Sequence, residues 1–299
     1  MQRIAIIGGG LMGTGLGQLF AAHGHPVAIV EPSADVRGAI GGRITATCDV
    51  LGVADCAGRV SCHAGLEGIA DADFVIEAAP ERVDLKQSLF AELLAAAGPR
   101  TVLGTNSSVI PVGVVTQKLS DEQAARVVGT HFWNPPHLIP LVEVIQGPRS
   151  AKPAVEAALQ LLRSVGKKPV HIRRDVVAGN RLQHALWREA MALVQEGIAD
   201  AEGVDELVKS SIGLRLQVLG PLENADLVGL DLTWNIHDVV LPVLDRSTQP
   251  LPVLTQLRDS GQLGMRTGRG FYEWTRESAQ AVRDRLNAHL LNVVGGRPT

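Results

Sequence analysis

An α/β fold is what this sequence predicts: helices on both faces of a doubly wound, mostly parallel sheet, then an all-α C-terminal part. Three observations carry that prediction. As far as about residue 175, short apolar runs alternate with amphipathic stretches, the pattern of strand–helix–strand crossover units. The runs Ile4–Ile7 and Phe74–Ile76 are apolar throughout, which suits strands buried on both faces. After Asp175 the strand-like runs stop and the apolar spacing becomes helical.

The elements follow in order. Arg3–Ile7 is the first strand and Leu11–His23 the first helix. Pro26–Val30 is a second strand, followed by a long helical stretch from Ser33 to about Ala54. Strands Arg59–Cys62 and Phe74–Ile76, helix Arg82–Ala97 and strand Thr101–Leu103 continue the alternation. Arg126–Phe132 and Leu141–Ile145 read as two further strands, Pro153–Val165 as a helix and Pro169–Ile172 as the last strand. Beyond them Leu182–Gln195, Val204–Ser211, Leu222–Leu227, Leu232–Leu244, Val253–Arg258 and Glu277–Leu291 fit the helical period. The change of class puts a domain boundary between residues 177 and 178, giving domains 1–177 and 178–299. The end of the chain, Gly295–Thr299, is expected to fray.

Composition excludes several classes. A chain of 299 residues that is 45% apolar has material for one large or two ordinary cores. A net charge of −3, with only five Phe, four Trp and one Tyr, argues against a nucleic-acid partner bound by bulk charge or base stacking. No apolar run approaches the roughly 18–20 residues of a membrane span. The opening residues lack the basic region and cleavage site of a secretory leader, so a cytoplasmic protein is expected. Cys48, Cys56 and Cys62 form no CxxC pair. They read as reduced thiols, and no metal site is expected, Cys62 beside His63 being too small a donor set.

Gly8-Gly9-Gly10-Leu11-Met12-Gly13 matches G-x-G-x-x-G between a strand and a helix, the context that marks a Rossmann-type dinucleotide turn. Gly8 permits the turn, Gly10 lets a pyrophosphate approach the backbone, and Gly13 lets helix and strand pack closely. The free N–H groups from Leu11, Met12 and Gly13 onward and the positive helix end then hold the phosphates. Glu31 follows Gly13 by 18 residues at the end of the second strand. A carboxylate there accepts hydrogen bonds from the adenosine ribose and repels a 2′-phosphate, which selects NAD over NADP. FAD and a ligand-free strand–turn–helix are the competing readings of the turn.

The segment His131-Phe132-Trp133-Asn134-Pro135-Pro136-His137 ends one strand, and Leu141-Val142-Glu143-Val144 opens the next. Asn-Pro-Pro forces a turn between them, and a reversal of this length can bring Glu143 alongside His131. Such a pair has clear chemistry: the carboxylate fixes the imidazole tautomer and leaves the other ring nitrogen as a general base. Spacing alone leaves open a structural ion pair or two unrelated residues. His137 and His184 read as ordinary satisfied or exposed histidines.

With these residues in place, the chain resembles the L-3-hydroxyacyl-CoA dehydrogenase family over Arg3–Trp274. The resemblance is carried by Gly8–Gly13, Glu77-Ala78-Ala79-Pro80-Glu81, Asn106-Ser107-Ser108, His131–Pro135, Leu141–Val144, Gly179-Asn180-Arg181 and Gly264–Tyr272. It implies an NAD-dependent dehydrogenase in which His131 is the catalytic base and Glu143 its partner. It also implies hydrogen bonds to substrate from Ser107 and Asn180. Glu81 and Lys86 then meet the nicotinamide half of the cofactor, Arg266 reaches the cofactor, and a homodimer forms through the helical domain. Two departures stand out. The usual Asp-Val-Pro-Gly-Phe approach to the second domain is shortened to Asp175-Val176-Val177-Ala178-Gly179-Asn180. Between Ser33 and Val60 the only cations are Arg37, Arg43 and Arg59, where acyl-CoA enzymes use basic side chains for the CoA phosphate. Gly213-Leu214-Arg215, ahead of Gly220-Pro221-Leu222-Glu223, is similar to relatives that oxidise free hydroxy acids such as gulonate and carnitine. Arg215 would grip a substrate carboxylate through two parallel hydrogen bonds, or serve as an ordinary helix-end salt bridge. The expected reaction is oxidation of the 3-hydroxyl of an L-3-hydroxyacyl-CoA or related 3-hydroxy acid to the 3-keto product, with a small free hydroxy carboxylate held by Arg215 as the alternative. A lysine-based β-hydroxyacid dehydrogenase conflicts with the absence of Lys from Pro169–Ala201. A non-catalytic NAD-binding protein conflicts with the intact polar set.

Overall fold

Eight strands build one sheet in this computed structural model, which describes residues 1–295. They are β1 (Ile4–Ile7), β2 (Val27–Val30), β3 (Val60–His63), β4 (Phe74–Glu77), β5 (Val102–Thr105), β6 (Val127–Phe132), β7 (Leu141–Ile145) and β8 (Lys168–Ile172). Their order is β3-β2-β1-β4-β5-β6-β7-β8. Every neighbouring pair is parallel except β6 with β7. The order reverses around β1, which has β2 on one side and β4 on the other. A crevice outside the strand carboxyl ends at such a switch point is where α/β sheets take their ligands.

The helices of this part are α1 (Leu11–Ala22), α2 (Ala34–Leu51), α3 (Val83–Ala96), α4 (Val112–Val115), α5 (Asp121–Ala124) and α6 (Lys152–Ser164). Strand side chains alternate between two cores, as period 2 requires. Ile4, Ile6, Ile29, Phe74 and Ile76 pack with Leu16 and Phe20 of α1, Ile40 and Ile44 of α2 and Leu161 of α6. Ala5, Ile7, Val75 and Leu103 pack with Phe90 and Leu93 of α3 and with Val112 and Val115 of α4. Each large apolar side chain so buried contributes roughly 1.5–3 kcal/mol, so both faces anchor the strand ends on which the polar residues stand. The end of α2 is set by Gly52, left-handed at φ 65°. The start of α5 is set by a reciprocal Ser120–Gln123 capping box.

The remaining helices are α7 (Ala178–Gln195), α8 (Ala201–Leu207), α9 (Gly213–Leu216), α10 (Pro221–Val228), α11 (Leu230–Val240), α12 (Pro252–Asp259) and α13 (Arg276–Gly295). A single π turn, Val208–Ile212, joins α8 to α9. The described residues separate into two compact units, one of Met1–Asn180 together with residues 287–295, the other of Arg181–Leu286. No helix among the described residues is long and apolar enough to cross a membrane. Of the end expected to fray, residues 296–299 lie outside the described part.

Strands expected from the sequence all form, with ends shifted by one or two residues. α4 and α5 were hidden, because four-residue helices leave no periodic signal. The stretch expected as one helix over Val204–Ser211 is α8 followed by the π turn. The stretch over Leu232–Leu244 is α11 followed by a 3₁₀ turn at Leu241–Val243, where Pro242 cannot continue the helical ladder.

Candidate active site

The glycine turn lies between β1 and α1. Gly8 adopts φ +104°, a region that side-chain-bearing residues avoid. A Cβ on Gly13 would stand 1.8 Å from the Gly8 carbonyl oxygen, so helix and strand meet there only without one. A Cβ on Gly10 would meet nothing within 4 Å: this glycine opens onto free space, as an approaching pyrophosphate requires. The helix start has no side-chain cap and no acidic residue in its first turn. Its first N–H groups, at Leu11, Met12 and Gly13, are therefore left to an anion. Glu31 leaves β2 and orients the turn: Oε2 accepts from Gly9 N at 2.8 Å and Oε1 from Ser33 N at 2.9 Å. Each oxygen retains a lone pair for a ribose hydroxyl. These features fit NAD.

The His131–Glu143 pair is set by strand register. In β6·β7 the two residues stand directly opposite each other, so their side chains share one face of the sheet. Nδ1 of His131 lies 2.8 Å from Glu143 Oε2, with the imidazole 5% and the carboxylate 2% exposed. A carboxylate only accepts, so Nδ1 carries the proton, and Nε2 of the neutral ring is free to accept. Glu143 Oε1 in turn accepts from Gly179 N at 2.9 Å. A side chain on Gly179 would collide with Trp133, 2.7 Å from a Cβ, and the Trp133 ring stands 5.6 Å from that of His131. Burial works against ionisation of Glu143. The hydrogen bonds from His131 and Gly179, the electrostatic pull of His131 and the Ala178 N–H outweigh it and lower its pKa.

This shift has a consequence for stability. A carboxyl group whose pKa is lower folded than unfolded stabilises the fold above the ordinary glutamate range, about 4.3. That contribution is lost as pH falls through the folded value. The urea midpoint of the wild type is therefore expected to drop below about pH 4.3, and Glu143→Gln to flatten part of that drop.

The two serines of Asn106-Ser107-Ser108 differ from expectation. Ser107, expected to reach substrate, is 3% exposed and turned away. Its hydroxyl donates to Glu81 Oε2 at 2.8 Å and accepts from Ile110 N at 2.8 Å. Ser108 instead places its Oγ 3.2 Å from His131 Nε2. The turn after β5 decides which hydroxyl faces the imidazole, and no spacing rule distinguishes two adjacent serines. Asn180 is in the same cluster, its Nδ2 donating to the Ser108 carbonyl at 2.9 Å. Asp175 makes the shortened approach to α7 rigid, accepting from Val112 N at 2.7 Å and Gly113 N at 2.6 Å at the start of α4. Asn106 Oδ1 accepts from Phe132 N at 2.8 Å, tying β5 to β6 beside the histidine.

Lys86 is also displaced from expectation. It is 1% exposed, no open cation for the nicotinamide and no solvated helix lysine. Its Nζ lies 2.5 Å from Glu77 Oε1 and 3.2 Å from the Ala79 carbonyl oxygen, with Glu81 Oε2 at 3.7 Å. Glu77, itself fully buried, completes its set with Ala79 N at 2.7 Å and Thr105 Oγ1 at 2.7 Å. Lys86 therefore reaches the crevice only through Glu81, which is 38% exposed and also accepts from Ser108 N at 2.6 Å. Arg215, on α9, and Arg266 are exposed in the helical unit.

The chain matches known proteins over most of its length. Residues 3–176 match the model of the 3-hydroxyacyl-CoA dehydrogenase NAD-binding domain, and residues 178–274 that of its C-terminal domain. The chain is 32% identical over 292 residues to 5-formyl-3-hydroxy-2-methylpyridine 4-carboxylate 5-dehydrogenase of Mesorhizobium japonicum, covering 95% of this chain and 94% of that one. It is 37% identical over 237 residues to L-carnitine dehydrogenase of Streptomyces griseus, covering 77% and 70%. The crystal structure of a 5-formyl-3-hydroxy-2-methylpyridine 4-carboxylic acid 5-dehydrogenase, described as an NAD⁺-dependent dismutase, superposes with a TM-score of 0.92 at 29% identity over all of both chains. With an NAD-binding domain and dehydrogenases among its relatives, the chain is an NAD-dependent oxidoreductase of CH–OH groups, and it belongs to the 3-hydroxyacyl-CoA dehydrogenase family.

Proposed function

We propose that the chain oxidises the hydroxyl of a small free hydroxy carboxylate, with His131 as base and Arg215 as the partner of the carboxylate. The observation that carries the chemistry is the Glu143–His131–Ser108 chain of hydrogen bonds, buried at the carboxylate and half-buried at the serine. His131 Nε2 removes the hydroxyl proton, and Glu143 stabilises the imidazolium that results. NAD, when bound, accepts the hydride. Ser108, Asn180 and the protonated His131 stabilise charge on the substrate oxygen. Gly8, Gly10, Leu11, Met12, Gly13 and Glu31 hold the dinucleotide. Glu81, backed by Lys86, addresses its nicotinamide half, and Arg266 completes the cofactor contacts.

Two findings support a free acid over a thioester. A relative matching nearly the full length is named for a pyridine carboxylate and another for carnitine. Arg37, at the start of α2, is occupied: one guanidinium nitrogen donates to the carbonyls of Glu31 and Pro32, both at 2.7 Å. The two N–H groups of that nitrogen are spent inside the fold rather than on a CoA phosphate. The acyl-CoA reading keeps the support of the family model itself. An aldehyde is compatible with the same residues, because its hydrate presents the same H–C–O–H unit as an alcohol. The test is NADH formation from free 3-hydroxybutyrate, L-carnitine, L-gulonate and the formyl pyridine carboxylate beside 3-hydroxybutyryl-CoA. A free acid is expected to be preferred. Arg215→Ala is expected to raise its KM by about 10-fold or more, the worth of one charge-assisted pair, and to leave the thioester unaffected. Turnover of the CoA ester alone would decide for the other substrate.

We further propose a domain division at 177/178 and a homodimer formed through the helical domain. The dimer is supported by apolar side chains that this part leaves exposed, among them Leu222 at 82%, Val218 at 80% and Trp234 at 68%, more than an isolated surface accounts for. Sedimentation should give twice the 31.7 kDa of one chain. A cytoplasmic setting is supported by Cys48 and Cys56, buried with sulfurs 3.4 Å apart and unbonded.

A further inference from the structure

Lys167 is a buried cation that the chemistry above does not use. It stands in the turn between α6 and β8 and is 7% exposed. Its partners are neutral: Nζ donates to the carbonyl oxygens of Pro136 at 2.6 Å and Ile139 at 2.8 Å. Those carbonyls lie in the 133–140 link between β6 and β7, and so between His131 and Glu143. The same link closes on itself through Leu138 N and Ile139 N, which donate to the Pro135 carbonyl at 3.1 and 3.0 Å. It is also seated on the dinucleotide helix. Pro136 Cγ lies 2.7 Å from where a Cβ on Gly15 of α1 would stand, two residues past Gly13. One short segment thus touches the helix of the glycine turn, leads back to the catalytic imidazole, and is gripped by an ammonium.

Burying an ammonium is unfavourable, and an apolar side chain would fill this place at less cost. Burial lowers the Lys167 pKa to about 8, with no carboxylate to offset it. What the ammonium supplies and a methionine cannot is a pair of charge-assisted hydrogen bonds aimed at two fixed carbonyls.

We propose that Lys167 is a positioning residue for the dinucleotide: by gripping the Pro136 and Ile139 carbonyls it holds the link against Gly15. The phosphate-binding start of α1 is thereby kept in register with His131. The inference rests on NAD binding at the glycine turn and is independent of which substrate is used. The groups facing Lys167 from neighbouring elements are few. The link brings His137, whose pKa burial lowers and the Lys167 charge lowers further. The end of α1 brings His23, its Nδ1 held by the Leu19 carbonyl at 2.8 Å and its Nε2 near Gly166. On its own side Lys168 is exposed.

The test is the NADH dissociation constant, read by fluorescence between about pH 7 and 9.5, for wild type, Lys167→Met and Lys167→Arg, with kcat measured alongside. This window lies above the titration of a histidine whose pKa is lowered from about 6.5. Wild-type affinity is expected to fall as pH rises through about 8, when the amine loses its charge. Lys167→Met is expected to bind about 10-fold more weakly at neutral pH, the worth of losing such a grip, with no pH dependence. Lys167→Arg, charged throughout, is expected to stay tight to the top of the range. Changes in kcat at saturating NAD should stay within about threefold, because His131 and Glu143 are held by direct strand pairing. The proposal is overturned if Lys167→Met binds like wild type or keeps the wild-type decline. If Lys167→Met does not fold, the comparison of Lys167→Arg with wild type decides: a shared decline above pH 8 overturns it, and a flat profile for arginine supports it.

Discussion

Replacing His131 by glutamine is expected to lower kcat by about 10²–10⁴-fold, the usual worth of a positioned general base, while NADH still binds. Glutamine approximates the shape of imidazole and can keep one hydrogen bond to Glu143 or Ser108, but it cannot carry a proton away from an alcohol. The residues proposed to hold the cofactor, Gly8–Gly13 and Glu31, follow other strands, β1 and β2, so the dinucleotide affinity should change little. Glu143→Gln is expected to act in the same direction, because an amide no longer stabilises the imidazolium and can reverse the tautomer. Steady-state kcat set beside a fluorescence titration of NADH separates the two effects. Turnover surviving the His131 change nearly intact would remove the histidine from the chemistry.

Lys86→Met is expected to destabilise the protein by about 3–5 kcal/mol, the penalty for stripping one partner from a buried ion pair. Glu77 is fully enclosed beside it, and its carboxylate would be left with the Ala79 N–H and the Thr105 hydroxyl alone. For a domain of this size the melting temperature should fall by roughly 6–20 °C. Glu77→Gln with Lys86→Met in one chain should recover part of the loss, since no uncompensated charge then remains. Thermal unfolding of both single variants and the double variant measures the coupling. A double variant as damaged as the sum of the two would show that the residues act separately.

Much of the fold is written in local patterns, and much of the site is not. Wholly apolar runs marked the strands because parallel strands are covered on both faces, and Ile4–Ile7 and Phe74–Glu77 are buried at every position. Asn-Pro-Pro marked the reversal that puts Glu143 opposite His131, because prolines leave few ways to continue. What escaped depends on contacts distant in sequence. Choosing Ser108 over Ser107 requires knowing that Glu81, twenty-six residues earlier, takes the hydroxyl of Ser107. Lys86 is assigned to the nicotinamide half by the resemblance alone, and nothing adjacent in the sequence announces that Glu77 encloses it. Lys167 carried no signal, its partners being backbone carbonyls thirty-one and twenty-eight residues away.

The crystal structure of a ternary complex with NADH and a non-reacting substrate analogue is the measurement closest to the central claim. The account predicts the dinucleotide phosphates over Gly10–Gly13, and the reacting oxygen of the analogue within about 3.2 Å of His131 Nε2, the limit for a proton-transfer hydrogen bond, with its carbon facing the nicotinamide. An analogue bound away from that nitrogen, or a nicotinamide turned away from β6, would contradict it.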